Sequence, residues 1–226
     1  MRTLRRLAAS DARRVPWKNG RGVTEELALW PPGASWQRGD FDWRLSRAAV
    51  DEPGPFSAFP GLERVLVVTS GAGLRLRHGR AAPRARVALL QPYRFSGDWP
   101  TEATLVDGPV EDFSVLARRG VVRADVTVLR PGPASLHVRE LLAPGHTFVH
   151  VLSGTVEAQV SGELSAAGRG VAGALQLAAR ESLWIHGALE PAQIELGGGA
   201  QAGVVLLVQF VGDGTATGAS PASPQR

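Results

Sequence analysis

One lysine, Lys18, stands among 25 Lys and Arg residues, inside the dense stretch Pro16-Trp17-Lys18-Asn19-Gly20-Arg21-Gly22. Elsewhere the chain uses guanidinium for positive charge, so this ammonium is a candidate for work a planar fork does poorly. It is a compact point charge on a flexible stem, and it gives up its proton when desolvated. The plainer alternative is a solvated surface lysine. Arg64 is a second cation of interest, placed at the head of the apolar run Val65-Leu66-Val67-Val68. Facing inward, it offers two parallel donors to a carboxylate or phosphate; facing outward, it pairs with Glu63 or Asp112. Arg44 adds a further fork, and Asn19 and Ser46 supply neutral hydrogen bonds that fix orientation. Trp17, Phe56 and Phe59 can wall such a pocket and lower its dielectric, which strengthens each charge–charge interaction. Together Trp17, Lys18, Asn19, Arg44, Ser46, Phe56, Phe59 and Arg64 have the chemistry of an anion pocket, for a carboxylate or a phosphate.

Other chemistry finds less support. Cysteine is absent, which removes disulfides, thiolate metal sites and a Cys nucleophile. The five histidines, His78, His137, His146, His150 and His186, contain no His-x-His pair. On a strand, His146 and His150 share a face but stand two pleats apart, too far to share an ion easily. No Ser-His-Asp order, close carboxylate pair or phosphate loop stands out, and Gly71-x-Gly73 reads as a hairpin turn. No catalytic residue, metal or cofactor is therefore expected. One enzymatic alternative stays open, in which Lys18, depressed in pKa by Arg21 and Arg64, acts as a base or forms a Schiff base on a small acid or sugar.

The elements that must position these groups are β-strands. The 226 residues are 44% hydrophobic and 20% charged, enough for a substantial core. The net charge of +4 comes from scattered arginines, several at alternating strand positions such as Arg75 and Arg77, so the stripe that nucleic acid requires is missing. Residues 1–14 hold only Leu7-Ala8-Ala9 between their arginines, too short for a secretory or membrane segment. A cytoplasmic protein without a membrane or nucleic-acid partner is expected. The stretch 213–226 has the small, polar, Pro-containing composition of a disordered tail.

Short β-rich runs separated by Gly and Pro predict an all-β fold. Strands are expected at Val23–Trp30, Phe41–Val50, Arg64–Thr69, Gly73–Arg77, Thr104–Val106 and Phe113–Arg118. A second series follows at Asp125–Leu129, Ser135–Glu140, Thr147–Leu152, Thr155–Val160, Ser182–Ile185, Gln193–Leu196 and Val204–Val211. Leu164–Arg180 reads as loop. Two hairpins repeat: Val65-Leu66-Val67-Val68-Thr69-Ser70-Gly71 runs into Leu74–Arg77, and Phe148-Val149-His150-Val151-Leu152-Ser153-Gly154 runs into Val156–Val160. Pro60-Gly61 and Pro144-Gly145 precede them, which argues duplication. If Trp43 and Phe41 face the core, strand alternation turns Arg44 outward.

An apolar-x-Ser-Gly hairpin after Pro-Gly resembles the core of cupins, small jelly-roll barrels, and two copies make a bicupin. The boundaries expected are 1–119 for an N-terminal barrel and 120–212 for a C-terminal one. Exposed strand edges offer such barrels a route to a homodimer. Metal-binding cupins carry a Glu just before the hairpin, and that position falls on Arg64 and Thr147 here. The chain further resembles the HutD/Ves family of bicupins linked to bacterial histidine utilisation. The resemblance rests on residues 16–26 (PWKNGRGVTEE), 43–50 (WRLSRAAV), 54–64 (GPFSAFPGLER), 95–100 (FSGDWP) and 108–116 (GPVEDFSVL). The family has a run of glycines where Arg21 stands, and Asn and Met at the positions of Ser114 and Leu116. The resemblance implies a regulator or sensor that binds a carboxylate such as urocanate, formylglutamate or formate.

Overall fold

Apolar residues at every second position, punctuated by glycine, give strands that bury one face or both. The computed structural model of the chain describes residues 2–17, 22–79, 85–133, 135–141, 145–161, 173–187, 192–199 and 202–212. Lys18 and Asn19, and the stretch 213–226, lie outside the described residues. Strands of the first half are β1 (Arg2–Leu7), β2 (Arg13–Pro16), β3 (Val23–Trp30), β4 (Trp43–Val50), β5 (Gly54–Phe56), β6 (Leu62–Ser70), β7 (Leu74–His78), β8 (Ala85–Val87), β9 (Tyr93–Ser96), β10 (Thr101–Leu105) and β11 (Val110–Arg118). Those of the second half are β12 (Val122–Leu129), β13 (Leu136–Leu141), β14 (Gly145–Ser153), β15 (Thr155–Ser161), β16 (Leu175–Ala178), β17 (Ser182–Gly187), β18 (Ala192–Gly198) and β19 (Val204–Gly212). The fold is all-β, as expected. No helix of the described residues is long and apolar enough to cross a membrane.

Each half is a two-sheet barrel. The first packs the sheet β2-β3-β4-β11-β6-β9 on β5-β10-β7-β8, and the second packs β1-β17-β14-β19-β12 on β13-β18-β15-β16. Leu66, Val68, Leu74, Leu76 and Phe95 fill part of the first interior, and Val149, Val151, Leu177, Ile194 and Leu207 fill the second. The repeated hairpins adopt the same geometry. Gly71 and Gly154 turn at φ +88° and +74°, and a Cβ on either would run into the carbonyl oxygen of Pro109 or Ala202 ahead of the closing strand. Only glycine fits both demands.

The sequence reading missed β1, β2, β5, β8, β9 and β16, which are short or lie at sheet edges. Leu175–Ala178 falls in the stretch read as loop. Strand β1 pairs with β17 in register Leu4↔Ile185, so the sheet built mainly by the second half takes its edge from the chain's first residues.

The larger sheets of the two barrels meet face to face. Trp43, Leu45, Val65, Val67, Phe113 and Val115 from one side pack against Phe148, Trp184, Leu206, Val208 and Phe210 from the other. The first barrel's large sheet is therefore buried on both faces, which overturns the expectation for Arg44. Trp43 faces the seam between the barrels, and Arg44, its strand neighbour, points into the barrel interior and is itself buried.

Polar groups also enter the seam. His150 is buried, its Nδ1 lies 2.8 Å from Ser182 Oγ, and its ring lies against Phe113. Burial, with the Arg47 and Arg180 charges adding, pushes its pKa down to about 3. A free imidazole titrates near 6.5, so the unfolded chain takes up a proton that the folded one refuses. Stability from this group is complete above pH 6.5 and drains away as pH falls, by about 3 kcal/mol between pH 6.5 and 4. Urea melts should show a flatter acid limb for His150→Leu than for the wild type; parallel limbs would contradict this assignment.

Candidate functional site

Register sets which side chains line the first barrel. One row across the large sheet is Thr24–Ala48–Asp112–Val68, the next is Glu26–Ser46–Ser114–Leu66, and the third is Leu29–Arg44–Leu116–Arg64–Phe95. Strand alternation sends all three rows to the same face. Glu26, Arg44, Ser46, Arg64, Asp112 and Ser114 are thereby gathered in the interior, all of them buried.

Their bonding divides into two groups. Arg44 Nε donates to Glu26 Oε2 at 2.7 Å, and Arg13 reaches the other oxygen of Glu26 at 2.8 Å. Arg44 is thus spoken for, with its guanidinium 5.9 Å from the Trp36 ring. Arg64 is differently held. Its Nε donates to Ser114 Oγ at 2.9 Å, and its guanidinium carbon lies 4.7 Å from the Phe56 ring and 5.7 Å from Phe95. Among the described residues no carboxylate lies within ion-pair distance of Arg64, which keeps 9% of its surface exposed. A guanidinium seated between aromatic faces, with one nitrogen bonded to a hydroxyl, retains donors for a planar anion.

Electrostatics support the same reading. Burial lowers the pKa of Arg64, Asp112 opposes the shift, and Arg44 adds to it. Burial pushes Asp112 up to about 6, against the pull of Arg64 and with help from Glu111. Asp112 therefore changes charge near neutral pH beside a fixed cation.

Beyond Phe95 lies a group that the sequence reading left out. His78 stacks on Tyr93 and lies 4.8 Å from Phe95, centroid to centroid. Its Nδ1 is 2.9 Å from Thr101 Oγ1 and its Nε2 is 3.0 Å from Tyr93 Oη. Burial lowers its pKa. The alternation Leu74, Leu76, His78 already places it on the inward face, a signal that becomes usable once the register is known.

The second barrel provides an internal control. Counting from the turn glycines and the paired strands, Arg64, Ser114 and Asp112 correspond to Thr147, Leu207 and Val205. His78, opposite Thr101, corresponds to Val160, opposite Ile194. The same scaffold is uncharged at these positions in one copy and carries buried charge in the other. Buried charge is costly without a partner, and a ligand is one way to supply it.

The structure places the remaining candidates as follows. Trp17 packs on the first core and donates from Nε1 to Thr24 Oγ1 at 2.9 Å, while its backbone N bonds Gly22 O at 2.9 Å. Its ring covers Gly22 so closely that a Cβ there would lie 2.9 Å away. Ser46 sits beside Ser114 in the middle row. Phe59 belongs to a separate apolar cluster with Phe41, Leu62 and Leu116 that closes one end of the barrel. Asp98 accepts from the Gly61 backbone N at 2.8 Å and pairs with Arg119, which fixes the loop before β6. Among the described residues no three His, Asp or Glu side chains converge as a metal site would.

Comparison with known proteins agrees with this architecture. Protein Ves from Citrobacter koseri is 37% identical over 52% of this chain and 61% of its own length. The chain spans about three fifths of such curated relatives where it matches them. A conserved Pseudomonas aeruginosa protein of unknown function superimposes with a TM-score of 0.78 at 32% identity, covering 92% of this chain and 98% of the other. HutD from Pseudomonas fluorescens SBW25, in its formate condition, gives 0.73 at 27% identity over 93% and 99%. An oxalate decarboxylase from Lactobacillus farciminis, 8% identical with a TM-score of 0.63 over 92% and 88%, shares the cupin-like fold alone. The HutD family model matches residues 9–202, which takes in the charged barrel, most of its counterpart and the seam between them, and the chain belongs to the HutD family.

Proposed function

We propose that the protein is a regulatory or sensor protein of histidine utilisation that binds a small carboxylate metabolite, of the urocanate, formylglutamate or formate type, in its first barrel. The observation that carries this reading is Arg64, a buried guanidinium between Phe56 and Phe95 whose counterpart in the second barrel is Thr147. Ser114 steadies one nitrogen and Asp112 tunes the local charge. The Pseudomonas fluorescens relative described in a formate condition is consistent with a carboxylate ligand of this size. Cytoplasmic location and a two-barrel division near residue 119 belong to the same proposal.

Asp112 gives the reading a testable pH dependence. Above about pH 6 its negative charge offsets that of Arg64 and repels an anionic ligand; below, it is neutral. Calorimetric titration with formate, urocanate and formylglutamate should therefore show tighter binding at pH 5.5 than at 7.5. The gain is limited to about tenfold per pH unit, the limit for one linked proton. An absence of saturable heat for all three acids at both pH values would sink the proposal.

A second reading rests on His78, whose neutral ring between Tyr93 and Thr101 is equipped to move a proton. Chemical conversion of a bound acid, followed by NMR, would favour an enzyme over a sensor.

A further inference from the structure

The large sheet of the first barrel presents a second set of charges on its seam face, independent of the Arg64 pocket. Arg14, Glu25, Arg47 and Phe113 form one cross-strand row there. Where the barrels part at this edge an open groove of about 190 Å³ lies, smaller than the roughly 300–1,000 Å³ of drug-sized sites and suited only to a very small molecule. Arg47 is only 4% exposed. Its Nε donates to Glu25, but its buried Nη1 has no hydrogen-bond partner among the described residues. A buried guanidinium donor left unpaired is expensive and calls for an acceptor.

The groove is bridged from the other barrel. Arg180 pairs with Glu25 at 3.1 Å and with Glu111 at 3.3 Å. It does so from a left-handed backbone conformation, φ +71°, held by its N–H to Val151 O at 2.7 Å. Such strain in a non-glycine residue collects at ligand clamps. Glu25 and Glu111 are thereby committed to arginines. Two exposed lining residues, Arg14 and Asp51, have no ion pair among the described residues.

We propose that this groove binds a small zwitterion of the α-amino acid class. Its carboxylate is received by the Arg47 guanidinium and Arg14, and its ammonium by Asp51. The lining explains the choice: three guanidinium groups face three carboxylates, so a plain anion or amine gains one partner and meets a like charge. A molecule carrying both charges satisfies both lips.

The test is calorimetric titration of the full chain and of its Arg64→Met variant, in which the first-barrel carboxylate site is removed, with L-alanine, acetate and methylamine. Alanine should bind at least tenfold more tightly than either half-molecule. Arg14→Gln and Asp51→Asn, both exposed and safe for folding, should each weaken it about tenfold, while Arg64→Met leaves it unchanged. Loss of alanine binding in Arg64→Met with no effect of Asp51→Asn would place the ligand in the first barrel and overturn the proposal. So would acetate binding to Arg64→Met as well as alanine does, or no saturable heat with alanine in that variant. A carboxylate site at Arg64 survives each of these failures, because formate binding is read separately.

Discussion

Trp43→Ala should destabilise the protein by about 3–5 kcal/mol, the range for truncating a large buried aromatic. Trp43 is 1% exposed and stacks on Phe210 at 4.6 Å, with Phe148 and Trp184 at 5.3 and 5.7 Å, all three on strands of the opposite barrel. The cavity would open in the seam itself, so the two barrels should also lose part of their cooperativity, visible as a broadened or split urea transition. Trp43→Phe should cost less, because it keeps an aromatic ring in the seam and leaves a smaller cavity. The indole N–H of Trp43 is buried without a partner among the described residues, and removing it offsets some of the lost volume. Fluorescence and circular dichroism melts of the two variants decide the matter. Equal losses would mean that the seam depends on something other than aromatic packing.

Arg64→Met should abolish most carboxylate binding, weakening it about ten- to a hundredfold. Hydrogen bonds to a charged group contribute about 1.5–3 kcal/mol, and each 1.4 kcal/mol is a factor of ten. Stability should hold or rise, because an aliphatic chain of similar volume replaces a desolvated cation. Asp112 supplies an internal reporter. Without Arg64 the positive charge that opposes the effect of burial is gone, so its carboxyl should titrate above its present value of about 6. Carbon NMR of that carboxyl would show it. Unchanged formate affinity with a shifted Asp112 would mean that Arg64 is structural and that the ligand lies elsewhere.

Much of this was legible in the residues. Glycine-punctuated apolar runs fixed the repeated hairpins, and counting back from Gly71 put Arg64 where a cupin's metal-binding Glu would stand. The face on which Arg44 lies was not legible, because alternation alone cannot say that both sides of a strand are covered; it took the second barrel to bury Trp43 and Arg44 at once. Glu26 closes on Arg44 and Arg13, partners that strand alternation alone does not assign. His78 was passed over because its partners Tyr93 and Thr101 lie 15 and 23 residues away. The substitution of Ser114 for the family's Asn keeps a hydrogen-bonding group beside Arg64. Lys18, the residue that first draws the eye, lies outside the described residues, so its part is for experiment to assign.

Strand β1 has a mechanical consequence. It sits in the same sheet as β19, with β17 and β14 between them, while the whole charged barrel is strung between β1 and β12. A pull applied through β1 and β19 would load the second barrel's large sheet first and leave the charged barrel slack, as an insert inside its own twin. Single-molecule stretching through those two strands should register β1 peeling from β17 before any yield in the charged barrel, so that pocket would keep its shape under tension that already frays its neighbour.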